Sequence, residues 1–205
     1  MLAGHFALAA VVKARQPQVP LWALMLGTQL LDVIFVGLYA AGIESFRSVD
    51  GGQAGYGELI ITADYTHSLV GALGISLVAA LVTMLVWGRR NGIIIGAIIF
   101  SHWILDLVVH RADMAVLPGN SGGMPRVGLG LWQWPWVSAA IELGMILVGA
   151  FLYYHAAMRT AIKAERVEAK AGNTQAAYRN NAMVASVALF VFLVGTLVAD
   201  FVLVN

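Results

Sequence analysis

Residues 92–110 read GIIIGAIIFSHWILDLVVH, a run that is apolar over most of its length but carries ionisable side chains in its second half. A helix needs about 20 predominantly apolar residues to cross a bilayer, so this stretch predicts a spanning helix over Gly92–His110. Four further stretches satisfy the same criterion, which predicts five spanning helices in all. The other four are Leu21–Ile43, Tyr65–Trp87, Pro135–His155 and Ala182–Val204.

The composition of the chain is that of a membrane protein. Of its 205 residues, 60% are hydrophobic and 11% are charged, against about 45–50% and about 25% in soluble domains. These values exclude a water-soluble globular enzyme and a disordered segment. The net charge of +1 provides no basic surface field, so no nucleic-acid partner is expected. The absence of cysteine excludes disulfides and thiolate metal sites.

The first apolar stretch, Leu2–Val12, is too short to cross a bilayer and is followed by basic residues and prolines. It predicts a half-inserted helix that ends before Pro17. It lacks the basic leading region and cleavage site of a signal peptide, so none is expected. The predicted fold is therefore all-α: a single domain, residues 1–205, forming a polytopic bundle of five spanning helices and one short amino-terminal helix.

Basic residues collect at alternate ends of successive spans, which predicts an orientation in the membrane. Lys13, Arg89 and Arg159 belong to the basic ends, which the positive-inside rule assigns to the cytoplasm. Residues 157–181 are then a cytoplasmic amphipathic linker. The loops 44–64 and 111–134 and the carboxyl terminus are predicted to lie outside. We expect an integral protein of a bacterial inner membrane.

Several ionisable residues lie inside the predicted spans, where a charge costs about 2.5–3.5 kcal/mol even on the most lenient scale. Asp32 and His102 lie near the middle of their spans, and Asp106 shares a helix face with His102 because four residues separate them. Imidazole and carboxylate together, without thiolate, suit Zn²⁺ and also Mn²⁺ or Fe²⁺. The candidate functional set is His5, Asp32, His67, His102 and Asp106.

Short motifs around these residues resemble a known family. They are Gly4-His5, Leu31-Asp32, Thr66-His67-Ser68 and Ser101-His102-Trp103-Ile104-Leu105-Asp106. In order and spacing they resemble the signatures of the YdjM-like membrane-bound metal-dependent hydrolases, over residues 1–120. That family is placed beside zinc-dependent phospholipases C and single-strand nucleases.

The resemblance implies a metal site and its ligands. His5, Asp32, His67, His102 and Asp106 would bind the metal, with Asp106 as a candidate bridge between two ions. His110 and Glu142 are candidates for a further metal position. The family usually continues its first acidic motif as Asp-Ile-Asp-His-Pro, whereas residues 32–36 here are DVIFV. A smaller set of ligands is therefore expected.

Three functions are compatible with these residues. The first is a metal-dependent hydrolase that cleaves a lipid-linked phosphoester in the outer leaflet, with Asp32 and Asp106 as catalytic ligands and water as the nucleophile. The second is a non-catalytic protein that binds haem or a single ion, with His67 and His102 facing each other. The third is an ion or metal transporter, which needs polar groups along a path to both faces.

Overall fold

The computed structural model describes residues 1–48, 59–171 and 177–202 of the chain. The helices are α1 (Leu2–Arg15), α2 (Leu21–Thr28), α3 (Leu30–Ala40), α4 (Leu69–Trp87), α5 (Arg89–Val109), α6 (Pro135–Lys170) and α7 (Tyr178–Val202). Two short strands, β1 (Ser45–Ser48) and β2 (Leu59–Thr62), form an antiparallel pair in which Ser45 faces Thr62. Two 3₁₀ turns, Pro118–Gly123 and Leu131–Gln133, lie between α5 and α6.

The described helices confirm a mostly helical membrane protein. Four of them, α4 to α7, are long and apolar enough to cross a bilayer, and the bent pair α2–α3 makes a fifth if it is counted as one span. The 14-residue α1 is shorter than a spanning helix needs to be. The predicted short amino-terminal helix is therefore present.

The predicted span Leu21–Ile43 is not one straight helix. It breaks at Gln29, and α2 and α3 are bent by 50° relative to each other. The predicted start of the second span also differs, because α4 begins at Leu69 and the preceding Ser68 caps it by accepting a hydrogen bond from the Gly71 N–H. His67 therefore lies outside the helix, in the segment that enters it.

The predicted linker at residues 157–181 does not begin as a separate element, because residues up to Lys170 continue α6. Alanine and long charged residues at 157–170 favour helix, and no proline or glycine interrupts them. The hairpin β1–β2 is an addition to the predicted all-α fold. Parts of three predictions lie outside the described residues: the loop at 49–58, the linker at 172–176 and the end of the last span at 203–205.

Close helix packing depends on glycine at two contacts. A Cβ on Gly149 of α6 would lie 2.7 Å from the Ala7 carbonyl oxygen of α1, and a Cβ on Gly96 of α5 would lie 2.8 Å from the Ala80 Cβ of α4. Both contacts are too short for any side chain, so the backbone of α6 lies against the backbone of α1, and the backbone of α5 lies against Ala80 of α4. The packing holds α1 deep in the bundle and brings His5, which is 2% exposed, to the other candidate ligands.

The predicted orientation can be tested directly because the chain has no cysteine and a single introduced thiol has no background. Leu129 in the loop before α6 is 70% exposed, and Val167 near the end of α6 is 66% exposed. In intact cells, a membrane-impermeant maleimide should label Leu129→Cys, and it should label Val167→Cys only after permeabilisation. The reverse pattern would contradict the orientation.

Candidate metal centre

The candidate ligands converge from four parts of the chain. His5 comes from α1, Asp32 from the first turn of α3, His67 from the segment before α4, and His102 with Asp106 from α5. Two groups of three have ligand atoms that all lie within 4.8 Å of one another: His5, His102 and Asp106, and Asp32, His67 and His102. The structure therefore brings together all five residues of the predicted set.

Asp106 is the centre of the cluster. Its Oδ1 lies 3.1 Å from His5 Nε2, and its Oδ2 lies 3.0 Å from His102 Nε2 and 3.5 Å from His67 Nε2. The side chain is only 6% exposed. Such a buried carboxylate is retained only with cationic or hydrogen-bonding partners, because desolvation of a lone charge is prohibitive.

A hydrogen-bond chain fixes the protonation state of His67. Glu44 Oε1 accepts hydrogen bonds from the Tyr65 and Thr66 N–H groups at 2.8 and 2.9 Å, and its Oε2 accepts from the Thr66 hydroxyl at 2.8 Å. The Thr66 oxygen lies 2.9 Å from His67 Nδ1. Because the hydroxyl proton is used on Glu44, Thr66 must accept from His67 Nδ1–H. The Nε2 of His67 therefore presents a lone pair to the cluster.

His102 is fixed in the same way by a backbone carbonyl. Its Nδ1 lies 2.5 Å from the carbonyl oxygen of Thr28, which can only accept, so Nδ1 carries a proton and, in the neutral ring, Nε2 presents a lone pair. Thr28 is the last residue of α2, and the final carbonyls of a helix have no partner within it. The bend between α2 and α3 thus supplies the acceptor that orients His102.

The two free lone pairs point at the same place. His67 Nε2 and His102 Nε2 are 3.3 Å apart, and in the neutral rings neither donates a hydrogen bond to the other. Each also lies close to Asp32 Oδ1, at 3.3 Å from His67 and 3.6 Å from His102. Two lone pairs and a carboxylate facing each other repel unless a cation lies between them. Histidine ligands whose other ring nitrogen donates to an oxygen are typical of metal sites.

The distances suit a small ion. Ligand atoms about 2.0–2.1 Å from a tetrahedral Zn²⁺ lie about 3.3–3.4 Å from one another. Asp32 Oδ1 and the two histidine nitrogens are spaced by 3.3, 3.3 and 3.6 Å, which fits three ligands of one ion. Asp106 Oδ2 lies 3.0 and 3.5 Å from the same two nitrogens and belongs to the second group of three, with His5 and His102.

His5 contacts two of the other four candidate ligands, His102 and Asp106. Its ring stacks on His102, with centroids 3.9 Å apart and planes 5° from parallel. Its Nε2 contacts Asp106 Oδ1, and its buried Nδ1 has no hydrogen-bond partner among the described residues. Since Nδ1 of His102 is committed to Thr28, His102 has one nitrogen for one ion. The ligand atoms of His5, His102 and Asp106 all lie within 4.8 Å of one another, so His5 stays a candidate ligand beside Asp106.

The two further candidates occupy different places. His110 Nε2 lies 3.9 Å from Asp106 Oδ2, and its Nδ1 lies 3.1 Å from Asp113 Oδ1, so it stands at the edge of the cluster. Glu142 is fully buried and its Oε2 accepts a hydrogen bond from the Gly4 N–H at 3.1 Å. This contact satisfies one of the free N–H groups at the start of α1, where a negative charge is also favourable.

An ion pair joins the segment before α4 to the loop between α5 and α6, beside the site. Arg126 donates from Nη1 and Nη2 to both carboxylate oxygens of Asp64 at 2.6 and 2.9 Å, and from Nη1 to the Asp113 carbonyl. The hydrogen bonds to Asp64 raise the pKa of Arg126. This ion pair connects the segment before α4, which contains His67, to the loop that follows His110 after α5. It therefore fixes the positions of His67 and His110 relative to each other.

The sequence gives only partial signals for the groups that orient the ligands. Thr66 belongs to the Thr66-His67-Ser68 motif, whereas Glu44 reads as an ordinary charge in a loop. The structure shows that Glu44 is 2% exposed, which no pattern around it predicts. The Thr28 carbonyl is a backbone group and has no sequence signal.

Removing the Thr66 hydroxyl should weaken the site without deleting a ligand. Thr66→Val keeps the shape but removes the acceptor that holds His67 Nδ1–H, and loss of such a partner costs about 10–100-fold in metal affinity. Zn²⁺ titration should show a loss in that range. Thr160→Val is the matched control, because the Thr160 hydroxyl donates to Ala156 on the exposed face of α6. Equal affinities in the two variants would contradict the assigned role of Thr66.

Comparisons with known proteins add no assignment. No family model matches the chain, and no curated protein or solved structure is significantly similar to it. The function therefore has to be inferred from the site.

Proposed function

We propose that this chain is a membrane-embedded, metal-dependent hydrolase that cleaves a lipid-linked phosphoester. The observation that carries the proposal is the convergence of His67 Nε2, His102 Nε2, Asp32 Oδ1 and Asp106 Oδ2, with both imidazoles held in the metal-binding protonation state. The resident cation would be Zn²⁺, with Mn²⁺ or Fe²⁺ as alternatives, because the ligands are nitrogen and oxygen.

A bound divalent cation in such a site lowers the pKa of water towards about 7 and polarises the oxygen of the bond under attack. In the hydrolysis, a water oxygen forms a bond to phosphorus, the ester bond breaks, and the lipid alcohol leaves with a proton. Asp106 has His5 Nε2 3.1 Å from its Oδ1 and would keep a negative charge buried in the site.

Asp32 is the ligand that faces the substrate. Its side chain is 44% exposed, whereas the side chains of His67, His102 and Asp106 are 7%, 1% and 6% exposed. The site is therefore closed on the sides of α4 and α5 and open at α3. The Asp32 carboxylate is placed to take the proton that the attacking water loses. Because the opening lies on a span, a lipid substrate reaches it from within the membrane.

The geometry favours a small ion over haem. Asp106 Oδ2 lies within 3.5 Å of Nε2 on both His67 and His102, so a carboxylate occupies the place that a porphyrin plane between the rings would need.

The geometry also favours a closed site over a transport path. One and two turns before His102, the same face of α5 carries Ile99 and Ile95, which are buried. This face therefore lacks the polar groups that a transport path needs.

Hydrolysis of a lipid panel tests the proposal. Purified Zn²⁺-loaded protein in mixed micelles should release phosphate or a phosphorylated head group from a phospholipid or a polyprenyl phosphate. His67→Ala should lower the rate at least about a hundredfold, because it removes a ligand outright. His155→Ala is the matched control, since His155 contacts Phe151 and Tyr154 on α6 away from the site. Absence of hydrolysis by metal-loaded wild type across the panel would refute the activity.

A further inference from the structure

An apolar groove in the bundle has Ile99 among its lining residues, one helical turn before His102. It has a volume of about 600 Å³ and lies between the bent pair α2–α3 and α4, with α5 as its floor. Its lining is aliphatic or aromatic except for Thr83. This volume is in the range of about 300–1,000 Å³ that small-molecule sites occupy.

One face of α5 connects the groove to the site. Ile95 and Ile99 form the floor of the groove, and His102 and Asp106 follow them at spacings of three and four residues. These four positions therefore form one stripe along the helix. From Ile95 to His102 the stripe rises about 10 Å. The floor of the groove thus ends about one helical turn before His102.

The walls of the groove exist because α3 diverges from the bundle. The 50° bend after Thr28 separates Leu30 and Ile34 of α3 from Gly74 and Val78 of α4, and the groove occupies the gap. At the far end, Trp22 and Trp87 meet edge to face with ring centroids 5.8 Å apart. The bend that orients His102 through the Thr28 carbonyl therefore also opens the groove.

We propose that this groove binds the hydrocarbon chain of the substrate lipid, with the phosphoester of that lipid at Asp32. This inference rests on the proposed function and specifies the substrate: a long-chain lipid, one of whose chains lies between α3 and α4. Asp32 is the most exposed of the candidate ligands and lies on α3 between Leu30 and Ile34, which line the groove, and the groove offers a hydrocarbon chain an apolar surface. The groove therefore sets the preference for chain length.

Filling the groove tests the inference. A Cβ on Gly74 meets no atom within 4 Å, so Gly74→Leu places a side chain in the groove without a clash. A Cβ on Gly195 of α7 is equally free, so Gly195→Leu is the matched control away from the groove. For Gly74→Leu we expect the ratio of kcat/KM for a dipalmitoyl phospholipid to that for its dibutyryl analogue to fall at least tenfold. An unchanged ratio would overturn the inference.

A second measurement does not depend on hydrolysis. A phospholipid with a photoreactive diazirine in its acyl chain should label the groove residues of α3 and α4 in the zinc-loaded and the chelator-treated protein. Excess unlabelled phospholipid should compete, and Gly74→Leu should lose at least nine-tenths of the label. Label distributed over all lipid-facing helices and unaffected by Gly74→Leu would overturn the inference. Specific labelling in a protein without hydrolysis would refute only the proposed activity.

Discussion

Replacing His102 by alanine is expected to weaken Zn²⁺ binding by at least about a hundredfold. Loss of a group that merely orients a ligand costs about 10–100-fold, and His102 is itself a ligand. It also contacts both carboxylates, with Nε2 3.0 Å from Asp106 Oδ2 and 3.6 Å from Asp32 Oδ1. Competition titration of the purified variant against a chelator of known affinity measures the loss.

The control for this prediction is His155→Ala, which removes an exposed imidazole from α6 without touching the cluster. It should bind Zn²⁺ as wild type does. Because His102 is 1% exposed, its loss also leaves a cavity beside His5, so circular dichroism should accompany the titration. A folded His102→Ala protein with wild-type affinity would show that the ion, if bound, lies elsewhere.

Asp106→Asn should reduce zinc affinity by a similar or larger factor. The substitution preserves size but removes one of the two carboxylates that balance the charge of a divalent ion. Uncompensated buried charge costs about 3–5 kcal/mol, which corresponds to about a hundredfold to a few thousandfold in affinity. Hydrolysis should fall in parallel, because the amide also disturbs the contact with His5 Nε2.

Glu165→Gln provides the matched charge removal, since Glu165 pairs with Arg179 and has no contact with the cluster among the described residues. It should leave zinc affinity and hydrolysis unchanged. Equal behaviour of Asp106→Asn and Glu165→Gln would remove Asp106 from the centre of the site.

The candidate ligands were predictable because ionisable residues in an apolar span are costly and stand out in the sequence. Asp32, His102 and Asp106 lie in stretches that are otherwise apolar, where only a paired or bound role repays the burial of a charge. The i,i+4 spacing of His102 and Asp106 also determines that they share a face once the helix is assigned. The spans themselves follow from apolar length, and α4 to α7 are found at the expected places.

The groups that orient the ligands were not predictable, for a physical reason. The Thr28 carbonyl becomes available because α2 ends at that residue, and the sequence does not show that the predicted span Leu21–Ile43 breaks there. Glu44 is buried by the chain folding back over it, which brings the N–H groups of Tyr65 and Thr66 to its carboxylate. Such contacts join residues about 20 positions apart and leave no periodic signal.

The metal content of gently purified wild-type protein tests the account most directly. Elemental analysis should find one divalent ion per chain, with zinc the expected metal, because both groups of candidate ligands share His102, whose Nδ1 is taken up by the Thr28 carbonyl. Protein that contains no divalent metal, and that takes up none when zinc is supplied, would contradict the account.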